Sequence, residues 1–317
     1  MLENINSPED IKKLDVPELE QLCSEVRNYM IECCSVNPGH LGSSLGAVEL
    51  IVGLHKVYDT PKDKIIFDVG HQAYAHKILT GRRDAFRSNR RKGGISGFPR
   101  MDESPFDAFG VGHSSTSISA ALGLATAARM EGRDEKIVAV IGDGALTGGL
   151  AYEGMNNAGA SKADLLVIVN DNNFSIDRNL GAMHEHLLRL TTNATYNRIK
   201  THVWNAIGEN GLRETLKNMA ANAKHSIIKG SGGDIFEALG FRYFGPIDGN
   251  DIGQVVSTLQ KIRNLGGPRV LHIITKKGKG YAPAEQQQTI WHAPGIFDPE
   301  TGERDGWSCC NHGNITP

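Results

Sequence analysis

The sequence predicts an α/β fold: a doubly wound, mostly parallel sheet flanked by helices. Three observations carry this reading. First, the β-branched apolar run Ile137–Ile141 ends in Gly142-Asp143-Gly144, a helical segment runs from about Ala145 to Asn157, and a second apolar run, Leu165–Val169, ends in Asn170-Asp171-Asn172. That is one βαβ unit, and strands apolar at every position are buried on both faces. Second, Lys64–Asp68 and Pro268–Thr275 are further short apolar runs that end in polar, Gly-containing turns. Third, the stretches between runs keep helical spacing, and strands alternating with helices make a parallel sheet.

Taken in order, residues 1–15 form a polar lead-in. Asp15-Val16-Pro17-Glu18-Leu19 reads as a helix start, with Asp15 as cap and Pro17 in the first turn. Leu19, Leu22, Val26, Met30 and Ile31 then keep one face apolar. Asn37 to Gly46 breaks that helix and starts another that runs to about Tyr58. His40 sits in this Gly- and Ser-rich turn at a helix start. Two roles stay open for it on the residues alone: proton transfer, or capping the backbone. After the strand Lys64–Asp68 comes Val69-Gly70-His71, which puts a second histidine at a strand end. Thr80 to Arg83 and Arg90 to Lys92 form a basic stretch, either facing a phosphate or simply solvated. Gly93 to Glu103 has loop composition. Gly112-His113-Ser114 with Ser115-Thr116-Ser117 then opens a helix rich in small residues, where free N–H groups favour an anion and His113 is otherwise a capping residue.

Beyond Gly181 the pattern loosens. Residues 182–232 read as an insertion between core elements. Asp234–Leu239 begins a helix, Phe241–Phe244 is a short strand, and Asp251–Leu265 is an amphipathic helix. The last strand ends in Lys276-Lys277-Gly278-Lys279-Gly280-Tyr281, read as basic and flexible. Residues 1–290 therefore form one domain with an insertion, and 291–317 a linker-like tail.

Composition narrows the function. Of 317 residues, 39% are hydrophobic and 22% charged, as in a globular protein. A net charge of −2 gives no bulk electrostatic case for nucleic acid or an anionic membrane. No apolar run approaches the length of a transmembrane helix, and MLENINSPEDIKKLD lacks the apolar core of a signal peptide. The five cysteines, Cys23, Cys33, Cys34, Cys309 and Cys310, include no CxxC, so reduced thiols and a cytoplasmic location are expected. Cys309 and Cys310, with His312, fall in the tail.

The central stretch carries the chemistry. Ligands bind past the carboxyl ends of strands in open α/β sheets. There Asp143 offers a carboxylate and Asn172, 29 residues on (143 to 172), a neutral amide oxygen. One carboxylate, one amide and a diphosphate suit octahedral Mg²⁺. Gly-Asp-Gly alone is ordinary turn chemistry. The pair of strand ends resembles the GDG…N motif of thiamine diphosphate enzymes.

Several segments, in order from about residue 15 to 302, resemble the N-terminal half of the 1-deoxy-D-xylulose 5-phosphate synthase family: PGHLGSSLGAVEL, DVGHQAYAHKILTGRRD, GGISGFP, GHSSTSISAALG, GDGALTGG, NDNNFSID, GPIDGND, TKKGKGYAPAE and WHAPGIFDPETG. The resemblance implies a transketolase-like thiamine diphosphate fold. It also implies a transferase that joins pyruvate to glyceraldehyde 3-phosphate with loss of CO₂, toward isoprenoid, thiamine and pyridoxal precursors. Residue by residue, it implies Asp143 and Asn172 as Mg²⁺ ligands. Asn172, Gly144, Ala145 and His71 would lie near the diphosphate. Gly112, His113 and Ser114 would line the cofactor, Tyr281 would contact it, His40 would transfer protons, and His292 would lie close to substrate. Pro38 stands where many members have Gly and would stiffen the turn before His40.

Family members continue for roughly as many residues again, into pyrimidine-binding and C-terminal domains. Neither the glutamate that meets the aminopyrimidine nor the usual phosphate-binding arginines can be assigned in this sequence. Three readings follow. The chain is one half of a synthase, completed by a homodimeric or separate partner that supplies the pyrimidine domain. Or it is an inactive truncated synthase or a non-enzymatic module that binds Mg²⁺-diphosphate or a protein. Or it is a split transketolase subunit, against which DVGHQAY and GISGFP weigh.

Overall fold

A computed structural model describes residues 1–172, 182–192 and 234–304. In chain order the elements are α1 (Pro8–Ile11), α2 (Val16–Val36), α3 (Leu41–Gly46), α4 (Val48–Val57), β1 (Lys64–Phe67), α5 (Tyr74–Lys77), α6 (Ser117–Met130) and β2 (Ile137–Gly142). There follow α7 (Asp143–Leu146), α8 (Gly149–Ser161), β3 (Leu166–Asp171), α9 (Ala182–Thr192), α10 (Asp234–Ala238), β4 (Arg242–Asp248), α11 (Ile252–Arg263), β5 (Arg269–Ile274) and α12 (Ala282–Gln286).

The strands form one parallel sheet in the order β1-β2-β3-β5-β4. Side chains alternate across it with period two. Ile65, Phe67, Val138, Val140, Leu166, Ile168, Leu271 and Ile273 point into one core, with α2, α4 and α11. Ile66, Ala139, Ile141, Val167, Val169 and Val270 point into the other, with α6 and α8. Two cores on two faces are what doubly wound means, and they explain why β2 and β3 are buried at every position.

α2 starts as expected. Asp15 accepts from the backbone N–H of Glu18, and Glu18 reaches back to that of Asp15. Elsewhere the boundaries differ from the pattern. The expected helix 145–157 is split into α7 and α8 at Thr147-Gly148, and the helix to Tyr58 is split at Ala47. The short strand 241–244 extends to Asp248 as β4, through a bulge between Phe244 and Ile247 at Gly245-Pro246. The helix expected to open at His113 begins at Ser117, because Asp68 accepts from the backbone N–H groups of Ser115 and Ser117 and holds the preceding turn on β1. Two readings of surface charge are corrected. Arg82 is buried among carboxylates rather than solvated, and Lys277, in the segment read as flexible, is fully buried. The Gly278 N–H donates to Gly42 O at 2.8 Å, which pins that turn on α3. The remainder of 193–232 and the thiols Cys309 and Cys310 lie outside the described residues.

Candidate active site

All the candidate residues sit at or near the carboxyl edge of the sheet. The register pairs Gly142 with Asn170, so Asp143 and Asn172 emerge side by side past β2 and β3. Both are buried. Asp143 opens α7, where the N-terminal field favours its carboxylate. A buried carboxylate beside a buried amide oxygen is a donor pair that fits Mg²⁺ shared with a diphosphate. Among the described residues, no three His, Cys, Asp or Glu side chains converge as a metal cluster of their own.

The turn after β1 is forced. Val69 (φ 61°) and Gly70 (φ 100°) lie in the left-handed region, which a β-branched residue adopts only when its surroundings impose it. That turn aims His71 at the α3 start. Ser44 Oγ donates to His71 O at 2.9 Å. On α3, the His40 N–H donates to Tyr74 Oη at 3.0 Å, and Gly39 is required because a Cβ there would fall on that hydroxyl. His292 ends the 3-10 turn Ile290–His292, with Nδ1 3.3 Å from Ser43 Oγ.

Three histidines remote in sequence thereby form one cluster. Ring centroids are 5.3 Å apart for His40–His292 and 6.2 Å for both His40–His71 and His71–His292. Burial pushes His71 down to about 3, helped by the other two rings and Lys277. Burial, then Arg90, pushes His40 down to about 4, and burial, then Lys277 and His40, pushes His292 to about 4. All three are neutral at pH 7. Arg90 Nη1 lies 3.4 Å from His40 Nδ1 and can only donate, so the ring hydrogen of His40 resides on Nε2. His71 Nδ1 is buried and has no hydrogen-bond partner among the described residues. A polar atom left so is costly unless something binds it.

The other assigned residues divide. Gly112, His113 and Ser114 are exposed, and His113 Nδ1 meets Ser114 O at 3.0 Å. Gly144 and Ala145 are half-buried beside them. The link between the two loops is Ser115, which donates to Ala145 O at 2.7 Å and occupies the space a Cβ on Gly148 would need. Tyr281 lies not in the histidine cluster but in an aromatic group with Trp291 and Phe297.

Several site-building residues are given no individual role by the sequence. Asn170 donates to Gln72 Oε1 at 3.0 Å and accepts from Thr275 Oγ1 at 2.6 Å, joining the end of β3 to the turns after β1 and β5. Asp171 accepts from His272 Nε2 at 2.9 Å, and Tyr243 Oη lies 2.7 Å from His272 Nδ1. Asp68, Ser115, Lys277 and Phe98 likewise figure there only within runs or motifs, with no role of their own.

A family model described as 1-deoxy-D-xylulose-5-phosphate synthase matches residues 2–275. The synthase of Chlorobaculum tepidum is 53% identical over 307 residues, covering 96% of this chain and 48% of that protein. That of Azobacteroides pseudotrichonymphae is 51% identical over 309 residues, covering 96% and 49%. The chain thus spans about half the length of the curated relatives it matches. Among solved structures, transketolase from Campylobacter jejuni superposes with a TM-score of 0.65 at 20% identity, covering 88% of this chain and 41% of that one. Transketolase from Leishmania mexicana gives 0.60 at 18%, covering 83% and 37%. These likenesses establish a transketolase-like α/β fold, and the sequence match establishes that this chain belongs to the 1-deoxy-D-xylulose-5-phosphate synthase family, matching its N-terminal half.

Proposed function

We propose that the chain provides the diphosphate-binding half of a thiamine diphosphate-dependent synthase that condenses pyruvate with glyceraldehyde 3-phosphate and releases CO₂. The observation that carries this is the buried Nδ1 of His71, without a hydrogen-bond partner among the described residues, set beside His40 and His292 and at the same sheet edge as Asp143 and Asn172. The cofactor would supply a carbanion equivalent that no side chain can offer. Asp143 and Asn172 would hold Mg²⁺. Asn172, His71, Gly144 and Ala145 would bind the diphosphate, and Gly112, His113, Ser114 and Tyr281 would line the cofactor.

His40, with Nδ1 accepting from Arg90 and its hydrogen on Nε2, would present that N–H as the hydrogen-bond donor at the reacting centre, which is the side from which it would take part in proton transfer. His292 would face substrate with its ring oriented by Ser43. These residues match about half the length of the relatives, and turnover would draw also on the part of the pocket that the other half of such a synthase carries. The free thiols Cys23, Cys33 and Cys34 support a cytoplasmic setting; among the described residues no helix is long and apolar enough to cross a membrane. The split-transketolase reading is disfavoured by identities near 50% to synthases against 20% to transketolase.

Calorimetric titration with thiamine diphosphate, with and without Mg²⁺, tests this. Binding should need Mg²⁺ and should vanish in Asp143→Ala. Tight binding retained in that variant would sink the metal assignment. Formation of deoxyxylulose phosphate by the chain alone, followed by NMR, would overturn the half-site reading.

A further inference from the structure

The loop from Asn89 to Val111 crosses the mouth of the histidine cluster and is closed on itself by two of its own carboxylates. Glu103 accepts from the Ser96 N–H at 2.7 Å, and Asp107 accepts from the Arg100 N–H at 2.8 Å. Both carboxylates are also gripped from α5 and from the segment after it. Arg82 reaches Glu103 at 2.9 Å and Asp107 at 2.6 and 2.8 Å. His76 donates to Asp107 at 2.9 Å, and Lys77 pairs with Glu103. The base of the loop is tied by Arg90 N–H to Ile95 O at 2.9 Å.

Between these clasps sits Phe98. Its ring stacks on His40, centroids 5.6 Å apart and planes 26° off parallel. Its edge lies against Gly70, where a Cβ would come within 2.9 Å of Phe98 Cδ1. One side chain therefore touches both the turn that aims His71 and the ring of His40. Such a stacked ring restricts rotation about the imidazole's χ angles and covers one face against water.

We propose that Phe98 is a positioning residue for His40, fixing its imidazole orientation and excluding water from one face, and that the Glu103–Asp107 clasp on Arg82 holds Phe98 there. The consequence for proton transfer rests on the role of His40 proposed above. The placement of the ring rests on geometry alone. The other groups that face His40 are Tyr74 Oη on its backbone, Arg90 Nη1 at 3.4 Å, and the rings of His71 and His292. None of these is anionic at neutral pH, so removing Phe98 changes hydration and leaves the surrounding charge as it was.

The test is the titration of histidine side chains by long-range ¹H–¹⁵N NMR on the full 317-residue chain without cofactor. His40 is expected near 4 in the wild type. In Phe98→Ala it should move toward the ordinary 6.5, and in Phe98→Tyr, which keeps the flat ring, it should stay low. A purely structural role would lower the melting temperature and leave the His40 titration where it was. The signals of His76 and His272, buried in their own networks, report that the fold persists. An unmoved His40 in folded Phe98→Ala overturns the proposal. If that variant unfolds, Phe98→Leu carries the test, since it keeps apolar bulk without the stacking face and should still raise His40. Cofactor binding measured on the same samples separates the two readings. Loss of binding in the wild type would count against the proposed function and would leave the His40 result standing.

Discussion

His71 and His76 lie on one short segment, His76 wholly buried and His71 half-buried with its Nδ1 shut off from water, yet their rings live under different rules. Every ring nitrogen of the His76–His55 pair is used. Asp107 can only accept, so His76 carries its hydrogen on Nε2 and accepts at Nδ1 from His55 Nε2, 3.0 Å away. His55 Nδ1 in turn accepts from Thr60 Oγ1 at 3.2 Å. One set of tautomers satisfies the whole chain. His71 instead leaves Nδ1 without a partner among the described residues, and its neighbours are two more half-used rings. Burial alone therefore does not mark a functional histidine. Burial with unspent hydrogen-bonding capacity does.

The largest expected effect lies on the satisfied side. Asp107→Ala would leave Arg82 buried with Glu103 as its remaining carboxylate and would strand His76 Nε2. Breaking a buried pair from one side costs about 3–5 kcal/mol, to be read by urea denaturation. His71→Asn should stay within about 1 kcal/mol of wild type while losing Mg²⁺-dependent thiamine diphosphate binding. Equal stability losses in the two variants would erase the distinction between the networks.

The pH dependence separates them further. A histidine whose folded pKa lies below its unfolded value of about 6.5 takes up protons more readily when unfolded. Its contribution is complete above about 6.5 and is lost as pH falls toward about 4 for His40 and His292 and about 3 for His71. Burial also lowers His55 and His76, so they add to the same slope. For Asp107, burial alone would raise the carboxyl. The hydrogen bonds from His76 and Arg82 outweigh burial and hold it well below the usual range. Its contribution therefore persists until pH falls below about 3.9. His71→Asn should remove up to about 1.4 kcal/mol per pH unit from the acid limb, measured as stability against pH between 6.5 and 4. An unchanged limb would mean that His71 is not held neutral by the fold.

Much of this was legible in the sequence because strand ends in α/β sheets announce themselves. Apolar runs closed by GDG, NDN and VGH pointed to the sheet, its ligand edge, and the places of Asp143, Asn172 and His71, while a Gly- and Ser-rich turn at a helix start singled out His40. What could not be read was pairing across distance. Nothing local marks that Asp68 caps Ser115, that Asn170 ties the end of β3 to two other turns, or that Lys277 is buried rather than waving in solvent. The basic stretch at 80–83 misled for the same reason. The carboxylates that bury Arg82 lie more than twenty residues on, at Glu103 and Asp107. Helix breaks at Ala47 and Thr147-Gly148 escaped because they answer to neighbours such as Ser115, not to local propensity.

Tyr281 is where partner satisfaction and family resemblance point different ways, and it gives the smallest expected effect. Its ring meets Trp291 edge-on at 5.0 Å and Phe297 at 6.0 Å, while its hydroxyl makes a long 3.4 Å bond to Asp298 O. By the rule drawn from His71 and His76 it is a structural residue whose ring holds the segment bearing His292. Tyr281→Phe keeps the ring and removes only the weak hydrogen bond, so stability should change by less than about 1 kcal/mol. If the ring face is what would meet the cofactor, affinity should also hold. A clear fall in thiamine diphosphate affinity with stability intact would assign the hydroxyl to the cofactor. It would also show that a partnered group at this edge can still be recruited when ligand binds.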